Sequence, residues 1–447
     1  MSSFTRRADV IVIGGGIVGR SVASSAARRG MTVIVVEPMS ATFGTSSANA
    51  GHLVPSHRVP FAAPGMVRAG LRSLAARDGA FAIAPRAAVG LVPWLWRFAR
   101  SSTQANVERG VPALRHLLES TVDELHRLRA AGVDLDAADG GILQVCSSAA
   151  GMKGLHREAE VWGRWGVHTE ALSASALRAE EPLLNDTVVG AVRLVDDGRF
   201  DPALLLAEVS AEGELHGVET LTARVARIEP RGDRLARVHT SGGVLDARRV
   251  VVAAGVWTPS LCRPLGARLP IVAARGNSVT LPETERPNSP MLLVEQRTAL
   301  SPLAQGLRLT GGFRLTRPID REVNPKRSRE LVERAAQMLT IPADTPPASE
   351  WTGLRPATTD GLPIIGALAC APSVIVAAGH GMLGSTTGPG TGEVVAALLA
   401  GDMLQFDGAA VSPERFARTS ARTSARTSAR TSPPISARTG ARQGSGR

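Results

Sequence analysis

The chain has 447 residues, too many for one ordinary core, so two or three domains are expected. A 44% hydrophobic and 20% charged composition excludes wholesale disorder and collagen-like repeats. Of the formal net charge of +11, seven units come from arginines after Ala417, so the body carries only +4 and no nucleic-acid-binding signature.

In chain order, Asp9 to Ile13 reads as a buried strand, followed by the turn Gly14-Gly15-Gly16 and a helix from about Ile17 to Arg29. Gly30 suits the helix C-terminus. Thr32 to Val36 is a second apolar strand, closed by Glu37, which completes a β–α–β start. The apolar run after Arg6 and Arg7 breaks at three glycines and lacks a cleavage site, so it reads as a strand and not a signal peptide. Residues 41–55 form a small, polar loop. From Pro85 to Ala131 the spacing of Trp94, Leu95, Phe98, Leu114, Leu117, Leu118, Leu125 and Leu128 is helical, as in an amphipathic cap or core helix. No run reaches the roughly 18 apolar residues of a membrane span.

Short strands are expected at Gly141 to Val145 and Val192 to Leu194, then a helix opened by Asp201 as N-cap and Pro202 at the first helical position. Val225 to Glu229, Ala236 to His239 and Arg249 to Ala254 read as strands, and Leu269 to Phe313 as an antiparallel sheet. A helix over Arg327 to Leu339, a strand over Val374 to Ala378 and a last helix over Gly392 to Leu399 follow. Four tandem Ala-Arg-Thr-Ser repeats run from Ala417 to Ser432, a composition that cannot bury a core and is expected to be disordered. Simple-repeat expansion accounts for it more economically than a basic arm does. The distant Cys146, Cys262 and Cys370 form no metal-ligand spacing and no disulfide set, which fits a reducing, cytoplasmic setting, and no metal is expected.

Gly14, Gly16 and Gly19 form GxGxxG between a strand and a helix, with Glu37 18 residues past Gly19. The first glycine permits the tight turn, the second lets amides approach a pyrophosphate, and the third lets helix and sheet pack closely. The helix start at Ile17 and Val18 offers partial positive charge to phosphates. Glu37 is placed to accept hydrogen bonds from a ribose diol. A second match, Gly379-His380-Gly381-Met382-Leu383-Gly384, lacks a following helix–strand–acid set, which argues against a second complete nucleotide fold.

With these motifs and the segment Gly44-Thr45-Ser46-Ser47-Ala48-Asn49-Ala50-Gly51, the sequence resembles FAD-dependent amino acid oxidoreductases of the D-amino acid oxidase superfamily. Further matching runs are Phe61-Ala62-Ala63-Pro64-Gly65, Gly140-Gly141-Ile142-Leu143-Gln144, Arg275-Gly276, Leu309-Thr310-Gly311-Gly312, Trp351-Thr352-Gly353-Leu354-Arg355-Pro356 and Asp360-Gly361. The resemblance implies an α/β fold with an α+β substrate domain. A discontinuous Rossmann-like FAD-binding domain would take residues 8–90, 200–262 and 351–416. An antiparallel-sheet-and-helix substrate domain would take 91–199 and 263–350, leaving 417–447 as tail. It implies FAD as cofactor and oxidation of a D-amino acid to an imine that hydrolyses to a 2-oxo acid and ammonia. Hydride would pass from Cα to flavin N5, and electrons then to a quinone, another carrier or O2.

The resemblance also assigns residues. Gly14, Gly16, Ile17, Val18, Gly19, Glu37, Ser46, Ala48, Asn49, Val225, Ala254, Gly255, Gly381, Leu383 and Gly384 would bind FAD. Arg355 would grip the substrate carboxylate, with His52 and His380 lining the site. The chain has no tyrosine, so any second donor to the carboxylate must be another group. That leaves glycine, sarcosine or a hydroxyproline-like amine as alternative substrates, and a flavin-binding protein without turnover as the alternative of another class. Membrane contact would be peripheral, and the oligomeric state stays open.

Overall fold

A computed structural model describes residues 6–38, 44–75, 81–282, 286–317 and 322–417. The Arg-Thr-Ser repeats after Ala417 lie outside the described residues. The opening strand, Arg6–Ile13, is flanked by two parallel neighbours, Val33–Glu37 on one edge and Gly243–Val252 on the other. Because one face packs on the Ile17–Arg28 helix and the last helix and the other on a cluster that includes Ile228, Val238, Cys262 and Ile271, Val10, Ile11, Val12 and Ile13 are all buried and the strand reads as a continuous apolar run. The Ile17–Arg28 helix docks tightly on it: a Cβ on Gly19 would fall 1.9 Å from the Gly14 carbonyl oxygen.

This first sheet continues outward to Glu219–Thr222 on one side and to Ala236–Thr240 and Val225–Pro230 on the other. The Gly243–Val252 strand divides its second edge. Residues 243–247 pair antiparallel with Ala236–Thr240, and Val250 to Val252 pair in parallel with Val374 to Val376 of the Ala371–Ala378 strand. Three segments distant in sequence thus meet in one sheet. Arg28 stands at the centre of the helices behind it, paired with Glu124, Glu212 and Glu393 from three other helices.

The second sheet runs Ser349–Thr358, Ile271–Leu281, Gly306–Thr316, Thr298–Leu303, Met291–Leu293, Ile142–Cys146, Gly190–Leu194, Thr169–Ser173. Its Leu143, Val279, Leu293 and Leu309 pack on Leu331, Val332 and Ala335 of the Pro325–Ala336 helix. The strand that carries Trp351 and Arg355 therefore belongs to this sheet. As expected, Ala88–Ser101 is a covering helix that buries Leu91 and Trp94 against Ala274, Leu315 and Ala357.

The last helix departs from expectation: it spans Gly384–Ala400 and not only 392–399. Its glycines read as breakers in isolation, yet they are what allows it to nest. A Cβ on Gly390 would fall 2.1 Å from the Leu117 carbonyl oxygen, and one on Gly392 2.7 Å from the backbone of Ser21. Beyond it the chain is fastened by Arg415, whose Nε and Nη2 bind the two carboxylate oxygens of Asp360 at 2.7 and 3.2 Å. Both side chains are almost wholly buried, at 4% and 3% exposure.

Candidate functional site

The site begins at the glycine turn. Gly14 has φ +111°, and a Cβ there would meet the Ala253 carbonyl oxygen at 2.5 Å, so only glycine fits between the two parallel strands. Ala254 and Gly255 follow at the end of the neighbouring strand, which brings them against this turn. Glu37 ends the next strand over, where its Oε2 accepts the Gly15 amide at 2.6 Å. Ala223, two residues before Val225, donates its amide to the Glu37 carbonyl at 3.2 Å. Gly14, Glu37, Val225 and Ala254 are thereby gathered at one end of the first sheet. The Ser46 hydroxyl accepts the Ile17 amide at 3.0 Å, and a Cβ on Gly16 would meet nothing but that hydroxyl. The open side of Gly16 and the start of the Ile17–Arg28 helix form a cradle suited to phosphate.

Glu37 thus serves the turn as well as any ribose. Glu37→Gln should weaken FAD binding by about 1–3 kcal/mol through loss of charge-assisted acceptance, with little effect on the chemical step at saturating FAD. Equilibrium titration of apoprotein measures this. An unchanged FAD Kd would reduce Glu37 to a structural clasp of Gly15.

Two loops converge beside the cradle. In the 44–52 loop, Asn49 spends its amide on Ser46 O at 3.0 Å and on Ser385 Oγ at 2.7 Å, and its Oδ1 accepts the Gly51 amide. Asn49 is consequently a latch between this loop and the Gly384–Ala400 helix. The His52 carbonyl accepts Thr386 Oγ1 at 3.0 Å, while its ring Nε2 meets Leu300 O at 2.9 Å. His380 is buried, with Nε2 3.0 Å from Thr391 Oγ1, and burial pushes its pKa down to about 4. Burial also lowers the pKa of His52, against the bond to Leu300. Both imidazoles are neutral at pH 7. Gly381, with φ +58°, has open space where a Cβ would stand, and its amide binds Pro356 O at 2.9 Å. Leu383 and Gly384 open the last helix without any side-chain cap, so its amide end faces the same space.

Across from these loops stands the second sheet. Thr45 Oγ1 bonds both the carbonyl and the amide of Leu354 at 3.2 Å, pinning the loop to the strand that presents Arg355. Arg308, nearly buried, donates to Asn49 O at 3.4 Å, and burial lowers its pKa. Arg355 Nη1 donates to the Gly312 carbonyl at 2.6 Å. No carboxylate among the described residues pairs with this guanidinium. It is partly accessible yet lies deep in the protein, and that desolvation pushes its pKa down to about 10. It still carries its charge at neutral pH.

The structure therefore brings together the glycine cradle, the 44–52 loop, the 379–384 loop and Arg355. The sequence reading assigned no role to Thr45, Gly276, Arg308 or Trp351. Thr45, Gly276 and Trp351 lie in motif runs that were already visible, whereas Arg308 carried no local signal because its partner loop is distant in sequence. No group of three or more metal-ligating side chains occurs among the described residues.

Comparison with known proteins agrees with this arrangement. Residues 9–398 match the family described as DAO, FAD dependent oxidoreductase. A protein named D-amino acid dehydrogenase from Methylobacterium radiotolerans is 34% identical over 404 residues, covering 88% of this chain and 96% of its own. One of the same name from Cereibacter sphaeroides is 32% identical over 421 residues, covering 91% and 95%. Among solved structures, glycine oxidase from Geobacillus kaustophilus superposes with a TM-score of 0.72 at 24% identity, covering 93% of this chain and all of its own. L-proline dehydrogenase from P. horikoshii superposes at 0.69 with 20% identity, covering 92% and 98%.

Proposed function

The chain belongs to the DAO family of FAD-dependent oxidoreductases, and from that premise we propose that it oxidises D-amino acids to 2-oxo acids and ammonia. The observation that carries the reading is Arg355: a charged, desolvated guanidinium with no acid partner among the described residues, on the strand that Thr45 ties to the 44–52 loop. A planar guanidinium binds a carboxylate at two points and so fixes the α-carbon. The cradle at Gly16 and the open space over Gly381 fit FAD, which when bound supplies the two-electron acceptor for the Cα hydride. The neutral His52 and His380 rings and the pinned 44–52 loop hold the reacting centre in place, so orientation supplies much of the rate. The amine loses a proton, the resulting imine takes up water, and ammonia leaves. Two curated relatives named as D-amino acid dehydrogenases favour a D-amino acid over glycine, sarcosine or a hydroxyproline-like amine.

The purified protein should be yellow with FAD that acid precipitation releases, and anaerobic addition of D-amino acids should bleach it. Bleaching by glycine or sarcosine alone would transfer the assignment to that amine class. Colourless protein that FAD does not restore would overturn it. Release of peroxide in air would identify O2 as the acceptor, in place of a quinone or other carrier.

A peripheral membrane contact fits the surface of the substrate domain. The Ala88–Ser101 helix buries one face, yet its other face exposes Val89, Val92 and Trp96, at 88%, 60% and 59%. Arg86, Arg97 and Arg100 flank this stripe, and no acid occurs from Phe81 to Gln104. Apolar groups, an interfacial tryptophan and arginines together suit an anionic lipid surface. In this reading the full chain floats with anionic vesicles and the triple variant Val89→Ser, Val92→Ser, Trp96→Ser does not. Equal flotation of both would move the contact elsewhere. No helix among the described residues is long and apolar enough to cross a membrane.

A further inference from the structure

Arg355 and Trp351 lie on one face of the Ser349–Thr358 strand, separated by Gly353. Gly353 is paired across the sheet with Gly276, Arg355 with Ala274 and Trp351 with Ser278. A Cβ added to Gly276 would stand 2.2, 2.3 and 2.4 Å from Nη1, Cζ and Nη2 of Arg355. One added to Gly353 would stand 1.7 to 2.6 Å from three ring carbons of Trp351. The two missing side chains thus leave a floor of bare backbone, with the guanidinium lying over one glycine and the indole over the other.

We propose that Gly276 is a positioning residue for the carboxylate grip, because the space above its α-carbon is the slot in which the Arg355 guanidinium lies flat. The inference rests on reading Arg355 as the carboxylate ligand. Its argument is steric. Gly276 has no positive φ, so its backbone suits any residue and the constraint is space alone. A methyl group cannot be relieved by shifting the guanidinium toward Gly353, since the Trp351 ring occupies that side. On its other flank, Nη1 is held by the Gly312 carbonyl. The fork must instead lift away from the strand, losing that bond and the alignment that presents both nitrogens to a carboxylate. The arginine would keep its charge and lose its geometry.

The test is a double-mutant cycle on the FAD-loaded protein, with benzoate as a carboxylate ligand that cannot be oxidised and flavin absorbance as the readout. Gly276→Ala should raise both the benzoate Kd and the KM for the amino acid roughly 10- to 100-fold, while FAD content and reoxidation of dithionite-reduced flavin stay unchanged. In an Arg355→Lys background, where no planar fork lies over the slot, the same Gly276→Ala change should alter benzoate Kd by less than about twofold. An equal factor in both backgrounds, or no change in either, would overturn the proposal. If Gly276→Ala alone does not fold, adding Arg355→Met should restore a folded yellow protein, and continued misfolding would refute the slot. Near-wild-type oxidation by Arg355→Met would remove the functional reading and this inference together. A crippled Arg355→Met beside a normal Gly276→Ala would remove this inference alone.

Discussion

Arg355→Met is expected to give a folded, yellow protein that has lost about 10²–10⁴ in kcat/KM for its amino acid, or about 3–5 kcal/mol of transition-state stabilisation. The reason is geometric. The Cα–H bond must point at the flavin, and in the proposed reading a two-point clamp at Arg355 sets that direction. Methionine keeps only bulk. Arg355→Lys keeps the charge without the fork and should recover part of the loss. Steady-state kinetics with matched FAD occupancy decides the matter. A structural ion-pair role predicts the opposite pattern, in which stability and FAD fall together while surviving folded enzyme turns over normally. The geometry argues against that pattern, because no acid among the described residues pairs with the guanidinium.

Arg415→Met is expected to produce the largest loss of stability, about 3–5 kcal/mol, because it leaves the buried Asp360 carboxylate only the Leu362 amide at 3.3 Å and the half-exposed Arg109 at 3.7 Å. Arg415 also donates to Leu362 O at 3.0 Å and Val411 O at 2.7 Å, so two further contacts are lost with it. The second variant Asp360→Asn combined with Arg415→Met should recover part of the loss, since the neutral amide costs less to bury. Cutting the chain after Phe416 should by contrast leave the unfolding midpoint nearly unchanged, because Arg415 is retained. Urea unfolding followed by flavin fluorescence and circular dichroism separates these outcomes. A midpoint for Arg415→Met equal to that of the parent would show that Asp360 is satisfied by other groups.

Much of the nucleotide end was legible because its signals are local. A strand, three glycines at fixed offsets, a helix and a terminal Glu37 each impose a requirement that neighbouring residues meet. The Asp201 N-cap was equally plain, since its Oδ1 accepts the Ala203 and Leu204 amides of the helix it starts. The start of the last helix was missed because Gly388, Gly390 and Gly392 are costly only in isolation. Their value lies in contacts with Ile17, Leu117 and Ser21, which no window of sequence contains. The same holds for the clamp. Arg355 was visible in its motif, but the slot at Gly276 exists only through antiparallel pairing of two strands, and the bond from Asn49 to Ser385 joins segments more than 300 residues apart.

The divided edge of the Gly243–Val252 strand has a consequence for how the protein is made. A ribosome delivers the glycine turn first, yet the strand beside it comes midway through translation and the Ala371–Ala378 strand near the end. Until then the nascent chain holds a parallel sheet with open edges, the type of non-local pairing that forms slowly and invites aggregation. FAD can therefore find its full cradle only on a nearly complete polypeptide. Flavin would act as a late ligand that draws the finished fold out of a slow equilibrium, so flavin supply during expression should govern yield more than it governs the properties of the protein recovered.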